Sequence, residues 1–319
     1  MDEFGIIARH FAPLATTPGA FGLKDDAAAI AARPGFDLIV TTDQIAEGTD
    51  FFAQDPPASI AQKALRVNLS DLAAKGAVAD CYLLVLALPP GATEEWLAQF
   101  AAGLGADQQR YGISLLGGDT SATTGPLTVT VTAFGFVPQG RMVTRGGAKP
   151  GDAIYVTGSI GDSAGGLAIL KREPHALNQA QRDHLVARYH TPEPPIDFGK
   201  RLAGLATASV DISDGLIADI GHLAAASGVA VAVDAEAVPL SDALRALWGT
   251  DAILRAATSG DDYQIAFSAS PARDGDIRAA AAQAGIAVTR IGAVAAGEGV
   301  TLHHQGRLLP VARPGYRHF

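Results

Sequence analysis

The sequence predicts a two-domain α/β (α+β) protein, and three observations carry that expectation. With 319 residues and 48% hydrophobic content, the chain can bury more than one core. Apolar runs of strand length, such as Leu38-Ile39-Val40 and Cys81 to Leu88, alternate with stretches whose apolar residues recur at helical spacing. Near the middle, Gly140 to Gly151 gathers glycines and Pro150 in a run of turn signals, which divides the chain into domains 1–148 and 149–319.

Residues 1–20 read as a helix-like start (Phe4, Ile7, Ala8, Phe11) and a loop from Pro13 to Gly19. Asp25-Asp26 then stands ahead of an apolar segment. Asp37 to Thr42 reads as a buried strand ending at Asp43, followed by a loop from Gln44 to Pro57. From near Ile60, apolar Ala64, Leu65, Leu72 and Ala73 keep helical spacing up to the stop at Gly76. Asn68, Asp71 and Lys75 share one face of that helix. A carboxylate buried there needs a cation or several donors, whereas one facing water needs neither. Cys81 to Leu88 predicts a second buried strand, closed by Pro89-Pro90. Thr93 to Tyr111 predicts a helix carrying Trp96, Leu97, Phe100 and Leu104. Ile113 to Leu116 predicts a strand that runs into Gly117-Gly118-Asp119-Thr120. Leu127, Val129, Val131 and Ala133 alternate with threonines, the pattern of a half-buried antiparallel strand.

In the second half, Ala153 to Thr157 predicts a strand leading through Gly158 to Gly166 into a helix through Leu167 and Leu170. Residues 172–198 are polar and proline-rich and read as one long connection. Ser209 to Gly215 precede a helix with Leu216, Ile217, Ile220 and Leu223 on one face, stopped by Gly228. Val229 to Val233 and Ile265 to Phe267 read as strands, and Ile277 to Ala284 as a helix.

Bulk properties narrow the function classes. The net charge is −9 and no basic stripe is present, which argues against nucleic acid. Met1-Asp2-Glu3-Phe4 lacks the basic start of a signal peptide, and the longest apolar run is too short to span a bilayer. The expectation is a soluble, cytoplasmic protein with no membrane partner. Cys81, the single cysteine, sits in an apolar run and reads as a buried, inert thiol.

Asp26, Asp43, Asp71, Asp119, Asp211 and Asp214 fall at element ends or in Gly-rich contexts. Each alone reads first as a turn or cap residue, and Asp214 as the cap of the helix after it. Together they point to a hard cation such as Mg²⁺. Two unit charges ~4 Å apart at an effective dielectric near 20 repel by about 4 kcal/mol, so carboxylates gathered around phosphates need divalent ions between them. A Walker-type phosphate loop, a protein-kinase catalytic loop and a His/Cys zinc cluster are all missing from the sequence. Gly158 to Gly166 could present N–H groups to an anion or be an ordinary tight turn. The residues alone lead to a metal-dependent, phosphate-handling α/β protein.

The ordered motifs resemble one family, thiamine-monophosphate kinase, within the superfamily named for aminoimidazole ribonucleotide synthetase. They are Asp25-Asp26-Ala27-Ala28, Thr41-Thr42-Asp43, Glu47-Gly48, Lys63 through Ala77, Gly117-Gly118-Asp119-Thr120, Gly135 to Pro138, Arg145 to Ala148 and Gly151-Asp152. In the second half they are Val156-Thr157-Gly158, Asp211 to Leu216, Ser259-Gly260-Asp261-Asp262-Tyr263 and the tail Gly315 to Phe319. The resemblance implies a two-domain fold of that superfamily, an N-terminal mixed sheet pairing in a homodimer, and an α+β C-terminal domain completing the active site. It implies transfer of the γ-phosphoryl group of ATP to thiamine monophosphate, giving thiamine diphosphate. Several Mg²⁺ ions would be held by Asp26, Thr41, Thr42, Asp43, Asp71 and Asp119, with Asp211 and Asp214 from the second domain. Tyr111, Gly118, Asp119, Arg145 and Ser213 would contact ATP.

The chemistry agrees, because a phosphate acceptor is already an oxyanion and no residue is required as general base. The substrate-side positions are Asp50, where the family carries histidine, Asp261 in place of glutamate, and Arg313 where an aromatic is expected. Pro194-Pro195 replaces a Pro-Arg, and Lys24 stands before the acidic pair where glycine is common. The alternatives are a synthetase of the same superfamily acting on another phosphorylated substrate, or a nucleotide-binding paralogue without catalysis.

Overall fold

The computed structural model describes residues 3–316, so Arg317, His318 and Phe319 of the tail motif lie outside the described residues. The chain divides into two compact units, Met1–Leu72 with Ala77–Gly140, and Ala73–Gly76 with Arg141–Phe319. This division falls at Gly140, ahead of the boundary at 148 read from the turn signals, and it assigns residues 73–76 to the second unit.

In the first unit, α1 (Glu3–Ile6), a π-helical turn (Ile7–Phe11) and short 3-10 turns precede β1 (Phe36–Ala46), α2 (Pro57–Ala74), β2 (Val78–Leu88), α3 (Glu94–Tyr111), β3 (Ser114–Ala122) and β4 (Thr128–Pro138). The strands make a mixed sheet ordered β1-β4-β2-β3, with only the β2–β3 pair parallel. Helix α3 forms where local signals agree. The Thr93 side chain accepts from the Trp96 N–H, Glu94 and Glu95 sit in the first turn, and left-handed Gly112 ends the helix. Arg66 on α2 meets Asp107 on α3 in a two-pronged ion pair, Nε to Oδ2 at 2.7 Å and Nη2 to Oδ1 at 2.8 Å. Gln62 Nε2 donates to the same carboxylate at 3.0 Å. A pair this buried resists loss of one partner, because the other charge would be left unpaired.

Cross-strand pairing sorts the sheet's two faces. Asp43 pairs with Val131 and Val131 with Leu84, so these side chains share the face that carries buried Val129 and Ala133. Gln108 Nε2 of α3 donates to Tyr82 Oη, which places that helix on the same face. The alternate residues Thr42, Thr132, Leu83 and Asp119 point the other way.

Two readings of this unit are corrected. β1 is not a buried strand ending at Asp43. It runs on to Ala46, and Phe36, Leu38 and Val40 are 48, 43 and 54% exposed. A three-residue apolar run looks buried on both sides, but β1 is an edge strand with one face open. Asp119 likewise lies within β3 rather than in a loop after it. Cys81 is buried as expected, and burial, followed by Asp80, pushes its thiol up to about 12.

The second unit contains β5 (Ala153–Thr157), α4 (Asp162–Leu170), α5 (Gln179–His190), α6 (Ile196–Gly199), β6 (Ala208–Asp211), α7 (Leu216–Ser227) and β7 (Ala230–Asp234). These are followed by α8 (Asp242–Trp248), α9 (Ala252–Thr258), β8 (Ile265–Ala269), α10 (Asp274–Ala284), β9 (Val288–Ala295), β10 (Gly299–His304) and β11 (Arg307–Leu309). Its seven strands are ordered β11-β10-β7-β9-β5-β8-β6, all antiparallel except β7–β10. Leu216, Ile217, Ile220 and Leu223 of α7 join Ile154, Val156, Val210 and Ala266 of the strands in one core. The long connection of residues 172–198 is corrected. It contains α5, closed by a reciprocal Asn178–Gln181 capping box. Only Leu185 and Tyr189 of that helix are buried, too few to show a periodicity. Helix α4 also starts at Asp162, inside the segment read as a glycine loop. Among the described residues no helix is long and apolar enough to cross a membrane.

Candidate active site

In the first unit, alternation along β1 turns Thr41 and Asp43 toward α2, where Asp71 stands on the helix face. The Thr41 hydroxyl donates to Asp71 Oδ2. Asp43 is raised to about 6, first by burial and then by the charge of Asp71 and a hydrogen bond shared with it. A divalent cation between the two carboxylates would relieve the repulsion that helps raise Asp43. The donor set is all oxygen, the chemistry that Mg²⁺ selects. Thr42 is placed apart from them, since its hydroxyl donates to the Val131 carbonyl at 3.1 Å and lies 3.0 Å from Thr132 Oγ1 on the opposite face.

On that opposite face a cleft of about 600 Å³ is lined by Asp25, Asp26, Gly117, Gly118 and Asp119, with Ile7, Phe11, Leu23 and Leu83 among its apolar walls. Thus Asp26, Gly118 and Asp119 are brought together, but across the sheet from Asp43 and Asp71. Gly118 is required by close approach, because a Cβ there would lie 1.8 Å from the Leu84 carbonyl oxygen. Tyr111, at the end of α3, has the guanidinium carbons of Arg66 and Arg110 at 5.5 and 5.1 Å from its ring.

In the second unit, Asp211 ends β6 at 4% exposure. Asp214 does not cap the next helix. The N-cap is Gly215, without a side-chain bond, and the N–H groups of Ser213, Asp214 and Gly215 all donate to Asp219 Oδ2 at 3.0–3.1 Å. Burial raises Asp219 to about 7 and the Asp214 charge adds to it, against those three donors. Asp214, Asp219 and His222 bring one ligand atom each within 4.8 Å of one another. Asp219 and His222 escaped the sequence reading because they look like one polar stripe of an amphipathic helix.

Arg145 is exposed, and its carbonyl accepts from Ser227 Oγ at 3.3 Å. Arg313 is exposed too and donates from Nε to the Gly315 carbonyl. The neighbouring aromatic is Tyr316, 48% exposed, whose N–H donates to the Asp214 carbonyl at 2.9 Å. The tail therefore brings an aromatic to the Asp214 loop at 316, not at 313. Asp50 closes its own turn, with Oδ2 accepting from the Ala46 N–H at 2.8 Å.

The raised carboxyls predict a pH dependence. A carboxyl whose folded-state pKa lies above its unfolded value destabilises the ionised folded protein. That penalty is present above about pH 7 and is relieved as pH falls through the folded values near 6 and 7 for Asp43 and Asp219. The metal-free melting midpoint is expected to rise between pH 8 and pH 5, less so in Asp43→Asn. Mg²⁺ is expected to raise the midpoint more at pH 8 than at pH 5. Calorimetry with and without chelator checks both.

A family model described as AIR synthase related protein, N-terminal domain, matches residues 24–137, and its C-terminal domain counterpart matches residues 149–305. The thiamine-monophosphate kinase of Caulobacter vibrioides is 41% identical over 323 residues, spanning 99% of this chain and 90% of that protein. The chain belongs to the thiamine-monophosphate kinase family. The crystal structure of thiamine-monophosphate kinase from Stenotrophomonas maltophilia K279a superposes with a TM-score of 0.83 at 40% identity, covering 90% of this chain and 91% of that one. AaThiL complexed with AMPPCP and TMP superposes with a TM-score of 0.80 at 32% identity, covering 91% and 89%. The expected family and its two-domain fold are thereby borne out.

Proposed function

We propose that this thiamine-monophosphate kinase family member transfers the γ-phosphoryl group of ATP to thiamine monophosphate, giving thiamine diphosphate and ADP. The observation that carries the reading is the pairing of Asp43 with Asp71 beside Thr41, an oxygen-only group poised for a hard cation. Thr41, Asp43 and Asp71 would hold Mg²⁺ on one face of the first sheet, and Asp26 and Asp119 in the cleft. Thr42 would contribute only from that cleft's face. Within the second unit, Asp211 and Asp214 would offer oxygen ligands of the same kind. Bound Mg²⁺ supplies charge neutralisation of the phosphates. The chain's own task is orientation. In the first unit Gly118 would let the backbone of β3 approach the nucleotide, with Tyr111 at the end of α3, and in the second Arg145 and Ser213 would be contacts for its phosphates. Tyr316 would offer a ring to the thiamine portion, and Asp50, Asp261 and Arg313 would be substrate contacts as the family pattern implies. The acceptor phosphate is an oxyanion near neutral pH, so no residue acts as general base. Incubating the protein with ATP, Mg²⁺ and thiamine monophosphate and separating the products tests the reading. ATP binding without thiamine diphosphate would overturn it.

We further propose a cytoplasmic homodimer formed through the first unit. Exposed Phe36, Leu38 and Val40 on edge strand β1, with Val85 of β2, make an apolar sheet face that a second copy would cover. Val40→Glu is expected to shift the protein to monomer in sedimentation experiments, because a charge would be buried unpaired.

A further inference from the structure

Ser259-Gly260-Asp261-Asp262-Tyr263 joins α9 to β8, and it holds two non-glycine residues in the left-handed region, Asp261 at φ 70° and Tyr263 at φ 49°. A residue with a Cβ stays there only where its surroundings over-determine it. The N–H groups of Asp261 and Tyr263 donate to the carbonyls of Ser213 and Ile212, both at 2.8 Å. Gly260 lies so near the Ser213 carbonyl oxygen that a Cβ would come within 2.2 Å of it. Between the two strained residues, Asp262 is 7% exposed, and both its carboxylate oxygens accept from the Gly161 N–H, at 2.9 and 2.8 Å. The Ser163 N–H donates to it as well.

The turn that Asp262 grips is itself fixed. Gly161 has φ 89°, and a Cβ on it would sit 2.5 Å from Ala256 Cβ. Asp162 accepts from Ser159 Oγ at 2.6 Å and from Ser241 Oγ at 2.5 Å, and His184 Nε2 lies 3.0 Å from its Oδ2. One end of the linkage is thus a rigid post, and the other is the strained segment that hydrogen-bonds the Ser213-Asp214 loop.

We propose that Asp262 is a positioning residue for the phosphoryl transfer. By tying the segment to Gly161 and Ser163 it holds Asp261 in its left-handed conformation and keeps the Ser213 carbonyl in register. The inference rests on the assignment of Ser213, Asp214 and Asp261 to the active site.

Three variants of the full chain test it, with kcat and both KM values measured alongside melting midpoints. Asp262→Asn keeps an acceptor for the Gly161 N–H and is expected within about threefold of wild type. Asp262→Glu keeps the charge but displaces the anchor by one methylene. It is expected to raise KM for thiamine monophosphate about tenfold while KM for ATP stays within about threefold, and Asp262→Ala is expected to lose more, within the 10- to 100-fold range of supporting residues. Rescue by Asn with loss in Glu, at matched melting midpoints, is the expected result. Wild-type KM for thiamine monophosphate in Glu and Ala overturns the proposal, as do losses in all parameters that merely track the midpoint. If Ala does not fold, the Asn and Glu pair decides alone. Asp261→Asn separates the two layers. If it leaves that KM unchanged, the assignment of Asp261 fails, and the anchor is judged from amide exchange at Asp261. Faster exchange there in Asp262→Glu supports the anchor, and unchanged exchange overturns it.

Discussion

Replacing Asp71 by asparagine is expected to lower kcat by roughly a hundredfold or more while leaving the fold intact, since under the proposed assignment it removes a Mg²⁺ ligand and the charge that the transferring group requires. The structure explains why the fold survives. An asparagine Oδ1 can still accept from the Thr41 hydroxyl that now donates to Asp71, so no buried donor is orphaned. It also predicts a second readout independent of turnover. With the Asp71 charge gone, Asp43 loses one cause of its upward shift. The Mg²⁺-induced rise in melting midpoint is therefore expected to shrink in Asp71→Asn. Near-normal kcat at saturating Mg²⁺, with an unchanged metal-induced shift, would remove Asp71 from the site.

The other large effect is expected at Gly118. A Cβ at this position would stand 1.8 Å from the Leu84 carbonyl oxygen, and a backbone atom inside a paired strand cannot step aside. Overpacking of this kind costs about 1–3 kcal/mol or more, a large share of a stability of roughly 5–15 kcal/mol. Gly118→Ala is expected to melt roughly 5–10 °C lower and to bind ATP weakly. Gly117→Ala is the control. Its Cβ would meet only Leu83 Cδ2 at 3.3 Å, the end of a flexible side chain that can turn away. Thermal melts of the two variants, with nucleotide titrations, check the contrast. Equal behaviour of the pair would mean that the β2–β3 spacing is looser than described.

Elements whose signals are local were legible in the sequence. The apolar stripe of Trp96, Leu97, Phe100 and Leu104 gives α3 within one residue, and the threonine alternation identifies β4 together with its antiparallel pairing. What escaped depends on partners far away in the chain. Leu38 and Val40 look like core until β1 is known to be an edge, and α5 looks like coil because it buries so little. The same division holds for the site. Asp43 and Asp71 stand out in the sequence by their contexts, but their contact needs the register of a strand against a helix. That Asp119 and Asp43 face opposite sides of the sheet follows only from the strand order β1-β4-β2-β3. Asp262 and Tyr316 carried no local signal beyond their motifs, since their roles come from bonds to Gly161 and to Asp214.

The reach of Asp219 back to three successive N–H groups has a consequence for ligand affinity. The Ser213–Gly215 stretch is moulded by the helix that follows it, before any ligand arrives. Ordering entropy that a floppy loop would lose on association has already been lost during folding, which favours tighter capture from the same contacts.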